Sequence, residues 1–279
     1  MIIIRLWGGV GNQLFQYVYG QYLKYNLGLE VRYDDNAFLS VEKIRKQELN
    51  GVDVSIEYDN HLLFSKYRGI LNRILLAMFK LVPTNHFCND LSVPSHFDSN
   101  HLYFLQGYWQ DPKYYLWLIK NEPKISIKIK EWPEELKETK EKILNAYNSV
   151  SLHIRRGDYF TPKYINTYGV CGKDYYQRAI DLIDEMVSPS NFFIFSDDLE
   201  WVKENIKLDY RFTLIPNYDV NQFAYIELMS YCKHHIISNS SFSWWGAILN
   251  ETDDTVVISP KKWTLKNDDT IALEKWIKI

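Results

Sequence analysis

Ser149-Val-Ser-Leu-His-Ile154 runs without a break into Arg155-Arg-Gly-Asp158, and that junction decides how the chain is read. Residues two apart in a strand share a face, so Val150, Leu152 and Ile154 are expected to pack inward while His153 and Arg155 look the other way. Arg156 follows where the strand ends, and Gly157 lets the backbone turn sharply. Guanidinium groups carry a planar fork of donors that matches phosphate oxygens and never lose their charge, so Arg155 and Arg156 in tandem suit a diphosphate. Asp158, just beyond the turn, can hold one guanidinium in a fixed rotamer. The same four residues also read as a solvated turn with no ligand.

Downstream of this junction the pattern is regular. Helical spacing over 173–186, an apolar strand at 191–195, a short helix from 199 and a strand at 211–215 come first. A helix at 221–232, a strand at 234–238, a helix from Ser243 and a strand at 255–259 complete it. Strands alternating with helices imply a parallel, doubly wound sheet, which takes ligands at the carboxyl ends of its strands. Three of those ends are polar: His153 to Asp158, Ser196-Asp-Asp198, and Ser238-Asn-Ser-Ser-Phe-Ser243. Asp197 and Asp198 can neutralise the arginines, or accept from the two N–H groups of a guanine edge. In the third cluster, Asn239, Ser240, Ser241, Phe242 and Ser243 precede a helix, where hydroxyls and backbone N–H groups can hold a phosphate. Capping accounts for one serine there, not four. Trp244-Trp245 reads as packing of that helix on the sheet.

Upstream, the apolar strand Ile2 to Arg5 leads into Trp7-Gly-Gly-Val-Gly-Asn-Gln13 and then into apolar residues at helical spacing. This is the opening of a nucleotide-binding type of fold, with Gly9 and Gly11 allowing close backbone approach and Asn12 at the helix start. It matches neither the dinucleotide nor the P-loop pattern. A second strand is expected at 28–33. From Ala37 to Asn100 the pattern weakens, apart from a basic amphipathic helix at 66–80 read as a solvated face. A strand at 101–105 precedes Gln106-Gly-Tyr-Trp-Gln110, and Asp111-Pro112 opens a helix. A charged helix at 131–147 leads out of the first domain, which places the boundary near Asn148.

The 279 residues suffice for two domains. A net charge of -3 excludes a general nucleic-acid binder, so any anion affinity is local. Cys88, Cys171 and Cys232 are too far apart for a disulfide framework or zinc site, and the short apolar start lacks the basic leader of a signal peptide. A cytoplasmic location is expected. No Asp-x-Asp or His-x-x-x-His pattern suggests a metal.

Assembled, the motifs resemble the bacterial alpha-1,2-fucosyltransferases of glycosyltransferase family 11. The resemblance rests on Gly8-Gly-Val-Gly-Asn-Gln-Leu-Phe-Gln-Tyr17, Gln106 to Gln110, His153 to Tyr159, Tyr168-Gly-Val-Cys171, Phe195 to Asp198 and Ser238-Asn-Ser-Ser-Phe-Ser-Trp-Trp-Gly246. It implies two Rossmann-like domains facing a cleft, the GT-B type: an acceptor-side domain over 1–148 with the glycine loop, and a GDP-fucose domain over 149–279. It further implies metal-independent, inverting transfer of fucose from GDP-fucose to the 2-hydroxyl of a terminal galactose, in a surface polysaccharide unit that a lipid carrier can bear. Arg155, then Arg156, would bind the β-phosphate; His153, Asp197, Asp198 and residues 239–243 would line the donor site, and the glycine loop would close over the donor. Asp158 is the nearest base by sequence, with arginine orientation as its other task. Alternatives are another linkage or acceptor, or a GDP-sugar binder without turnover. A peripheral position at the inner membrane is a further expectation, from the basic segment 66–80.

Overall fold

The structure, a computed structural model, describes residues 1–40, 45–122, 125–157, 165–167, 169–207, 209, 211–265 and 270–279. Its chain divides into two compact units, Met1–Lys128 and Ile129–Ile279.

The first unit is a four-stranded parallel sheet in the order β2-β1-β4-β3, formed by β1 (Ile2–Arg5), β2 (Val31–Asp34), β3 (Asn85–Asn89) and β4 (Leu102–Gln106). Ile2 lies opposite Val31 on one side and Tyr103 on the other, so β1 is central and all four of its side chains are buried. Helix α1 (Val10–Leu27) follows the glycine loop. It ends at Gly28, whose φ of 64° is the left-handed cap that lets a helix stop. The expected strand at 28–33 therefore begins only at Val31. Helix α2 (Gly69–Leu81) packs Phe79, Leu75 and Leu76 against Phe64, Ile3 and Phe104 on one face of the sheet. The expected continuous helix from Lys66 is broken, because Gly69 takes a φ of 68°. Strand β3, at the sheet edge, was hidden in the weakly patterned stretch: Asn85-His-Phe-Cys-Asn89 does not alternate. Helix α3 (Pro112–Asn121) starts as expected, with the Asp111 carboxylate accepting from the Lys113 N–H at 3.0 Å.

The second unit begins twenty residues earlier than the expected boundary near Asn148. Its first residue is tied down within it: the Ile129 N–H donates to the Glu227 carboxylate at 2.6 Å. Helix α4 (Glu134–Asn145) buries Leu136 and Ile143, and Lys140 lies over the Trp132 and Tyr231 rings at 4.4 and 4.5 Å.

Beyond it stand β5 (Ser149–Ile154), α5 (Lys173–Val187), β6 (Asn191–Ser196), α6 (Leu199–Asn205), β7 (Phe212–Leu214) and α7 (Phe223–Ser230). Strand β8 (His234–Ile236), helix α8 (Ser241–Ile248), β9 (Val257–Ser259) and the short β10 (Ile277–Lys278) complete the unit. The six strands are parallel in the order β10-β9-β8-β5-β6-β7. The chain builds outward from β5 on one side, then returns to lay β8 on the other. Between β5 and β8 the order reverses, and such a switch point opens a crevice at the carboxyl edge.

All six residues of β5 are buried, so the expected alternation of faces holds and both faces are covered. Val150, Leu152 and Ile154 meet Tyr176, Ile180 and Ile183 of α5. The alternate residues form polar bonds to the segment around β8. Ser149 Oγ accepts from the Lys233 N–H at 3.1 Å, Ser151 Oγ meets His235 Nδ1 at 2.8 Å, and His153 Nδ1 meets Ser238 Oγ at 2.8 Å.

Candidate active site

The three polar clusters stand at the carboxyl ends of β5, β6 and β8, which are adjacent strands. Pairing of Ile154 with Ser196 places the arginines directly beside the two aspartates. Asp197 Oδ2 takes Arg155 Nη1 at 2.7 Å, and its Oδ1 accepts from the Arg156 backbone N–H at 2.9 Å. Asp198 Oδ2 lies 3.3 Å from Arg156 Nε, while its Oδ1 caps α6 by accepting from the Trp201 N–H at 3.0 Å. Each carboxylate thus joins an arginine to the backbone. Asp197 and Asp198 orient the arginines, while Asp158, expected to hold one guanidinium, lies outside the described residues. Both aspartates are paired with the arginines.

Gly157 is tied to the same arrangement. A Cβ on it would stand 2.4 Å from Asp197 Oδ2, so only glycine admits that carboxylate. Trp201 supplies a feature that sequence reasoning missed: Arg156 Cζ lies 3.9 Å above its indole ring. A tryptophan in the first turn of a short helix carries no signal beyond packing, which is why it escaped notice. The guanidinium is confined between this ring and Asp198, with its side chain 14% exposed.

His153 is buried and its pKa is pushed down to about 3, mainly by burial and then by the charge of Arg155. It is therefore a neutral imidazole, stacked obliquely at 5.4 Å from Phe242. The serine-rich turn divides into two groups. Ser240 caps α8 by accepting from the Phe242 N–H at 3.3 Å, so the helix starts at Ser241 and not at Ser243 as expected. Ser243 Oγ donates within the turn to the Ser238 and Ser240 carbonyls, and Asn239 Nδ2 donates to the Trp263 carbonyl. Ser238, Asn239, Ser240 and Ser243 are buried, and Cys171 Sγ lies 3.6 Å from Asn239 Oδ1. Ser241 and Phe242, at the helix start, keep partial exposure. Trp244 and Trp245 are fully buried and meet edge to face at 5.0 Å, as packing residues do.

In the first unit, the glycine loop and the Gln106 to Gln110 segment follow the adjacent strands β1 and β4. Trp7 stacks on Tyr108 at 4.5 Å, Asn12 Oδ1 accepts from Gln110 Nε2 at 2.7 Å, and Gln16 joins the Trp7 N–H to the Gly107 carbonyl. Gly11 is buried in α1, whereas a Cβ on Gly9 would meet nothing within 4 Å. Gly9 and Asn12, both partly exposed, are loop positions that a ligand can approach. The Trp7 and Tyr108 stack was not among the residues expected to matter, since aromatics in glycine-rich loops read as packing.

Comparison with known proteins places the chain. Residues 71–279 match the family model described as Glycosyl transferase family 11. The O-antigen biosynthesis glycosyltransferase WbnK of Escherichia coli is 30% identical, covering 98% of both chains. The alpha-1,2-colitosyltransferase of Escherichia coli is also 30% identical, over 100% of this chain and 99% of its own. Among solved structures, the fucosyltransferase NodZ from Bradyrhizobium superposes with a TM-score of 0.54 at 12% identity, covering 89% of this chain and 92% of that one. That likeness fixes the two-unit α/β architecture as GT-B type, and the arginine pair, aspartates and serine turn together with the family match identify the chain as a member of glycosyl transferase family 11.

Proposed function

We propose that the chain moves L-fucose from GDP-fucose to the 2-hydroxyl of a terminal galactose, with inversion at the anomeric carbon. In one displacement the galactose oxygen bonds to fucose C1, the bond from C1 to the β-phosphate oxygen breaks, GDP leaves, and the acceptor hydroxyl gives up its proton. The observation that carries this reading is the arginine pair held by Asp197 and Asp198 at the switch point of a doubly wound sheet. Negative charge grows on the β-phosphate as C1 departs, and preorganised donors aimed there stabilise it. A guanidinium carries five donor hydrogens, so orientation by one carboxylate oxygen is compatible with presenting others to phosphate. Arg155 is assigned the β-phosphate, with Arg156 second. The start of α8 at Ser241 and Phe242 supports phosphate binding beside them. Two fixed guanidinium groups take the charge that a divalent ion neutralises elsewhere, so the reading is metal-independent.

The ancillary assignments are of the same standing: Met1–Lys128 as the acceptor-side unit, Ile129–Ile279 as the donor unit, and a polysaccharide repeat unit as acceptor. The O-antigen role printed for the WbnK relative supports that acceptor class. A second donor is favoured by the colitosyl relative, which matches along the whole chain at equal identity. Colitose is fucose without its 3-hydroxyl, so the two donors differ by one hydrogen-bonding group.

The test is transfer from GDP-fucose, and separately from GDP-colitose, to galactose-terminated disaccharides in EDTA, with linkage analysis and Arg155→Ala alongside. Fucose on the galactose 2-hydroxyl, lost in the variant, is the expected result. A preference for GDP-colitose establishes the second donor. Dependence on added metal, or binding of GDP without transfer to any acceptor of the panel, refutes the reading.

A further inference from the structure

Helix α2 covers the sheet of the first unit with Phe79, Leu75 and Leu76, and what it leaves outside is unusual. At about 100° per residue, Ile70, Leu71, Ile74, Met78 and Leu81 fall on one stripe roughly 100° wide, opposite that packed side. All five are exposed, Ile70 by 75% and Leu81 by 80%. Val82 extends the stripe past the helix end. Arg73 and Lys80 stand along one margin of it and Arg68 precedes the first turn, all three exposed. No acidic residue occurs between Asp59 and Asp90.

Scattered exposed apolar residues need no account, but five on one stripe do. A helix with an apolar stripe, cationic margins and no anions has the pattern of one that lies in a lipid–water interface. Charge argues against a second copy as the covering surface. A two-fold pairing of α2 with itself, antiparallel, sets Arg68 near Lys80 of the other copy, cation against cation. An anionic bilayer satisfies both features at once.

We propose that this face of α2 docks the protein on an anionic membrane surface, the apolar stripe entering the acyl boundary and Arg68, Arg73 and Lys80 meeting headgroup phosphates. The proposal holds whichever sugar the chain transfers, because its readout is lipid binding and not catalysis.

The test is flotation of the full chain with vesicles of phosphatidylcholine alone and of phosphatidylcholine mixed with phosphatidylglycerol. Two variants run beside it: R68E/R73E/K80E, and I70S/I74S/M78S. L91S, exposed but off the helix, is the control, and circular dichroism melts confirm the fold of each. Wild type and L91S are expected to float with the anionic vesicles and to be released by salt. Charge reversal should weaken that partition on the order of a hundredfold, from about fivefold per cation, and the serine variant should lose it too. Wild type that floats with neither vesicle overturns the proposal, as does flotation that both triple variants retain. Self-association in analytical ultracentrifugation that the serine variant abolishes, without vesicle binding, would overturn it in favour of a second copy.

Discussion

Replacing Gly157 by alanine tests the site at its tightest point. The new methyl group would stand 2.4 Å from Asp197 Oδ2, against 3.4 Å or more for an ordinary contact, so the carboxylate must retreat by about 1 Å. Its present position is set by two bonds, 2.7 Å to Arg155 Nη1 and 2.9 Å to the Arg156 N–H. A shift of that size takes both beyond hydrogen-bonding reach. A hydrogen bond to a charged group contributes about 1.5–3 kcal/mol, and misplacing a positioning group by 1 Å can cost on the order of a hundredfold in rate. Loss of the Arg155 setting should therefore lower kcat/KM for GDP-fucose by roughly ten- to a hundredfold. The fold should persist, because the displaced atoms lie at the rim of the sheet and not in its core. The assay is steady-state transfer with calorimetric GDP binding and thermal melts. Gly9→Ala is the comparison, since its Cβ meets nothing within 4 Å and the fold should be unaffected. Transfer and GDP affinity at wild-type level in Gly157→Ala, with melting unchanged, would refute the view that Asp197 positions Arg155 for the diphosphate.

Other consequences can be checked separately. Arg155→Ala should lower kcat by about 10²–10³, the loss typical of one transition-state donor, and Arg155→Lys should recover only part of it because an ammonium lacks the planar fork; equal rates in the two variants would contradict this. Trp201→Ala removes the ring beneath Arg156, worth about 1 kcal/mol, so GDP affinity should fall about fivefold, and because the same ring packs on the core beside Tyr176 the melting temperature should fall as well. His153 and His235 are both buried with pKa values pushed down to about 3 by burial. They stay neutral when folded, while the unfolded chain protonates them below about 6.5. Stability is therefore full above that pH and declines as pH falls, by about 1.4 kcal/mol per unit for each histidine. Urea melts of wild type and His235→Gln between pH 7 and 5 should show a shallower acid loss in the variant, and parallel slopes would count against the burial argument.

What the sequence determined by itself is what local pattern can encode. The succession of apolar runs and helical spacing after Ser149 marks a parallel, doubly wound sheet, because strand and helix periods differ within a few residues. Polar clusters at 153–158, 196–198 and 238–243 stand out for the same reason, and Arg155 and Arg156 are legible as an anion site from chemistry alone. The tertiary structure decided the partnerships. Asp197 and Asp198 hold the arginines, because lateral pairing of β5 with β6 joins residues about forty apart in sequence. His153 is buried and neutral since β5 is central and β8 lies against it, a fact that strand alternation cannot contain. The segment before α4 likewise belongs to the second unit through contacts distant in sequence, the bond from Ile129 to Glu227 among them. Which stripe of α2 stays outside was settled by the packing of Phe79, Leu75 and Leu76 on the sheet. A helix apolar over so much of its surface can bury either side, and only its neighbours choose.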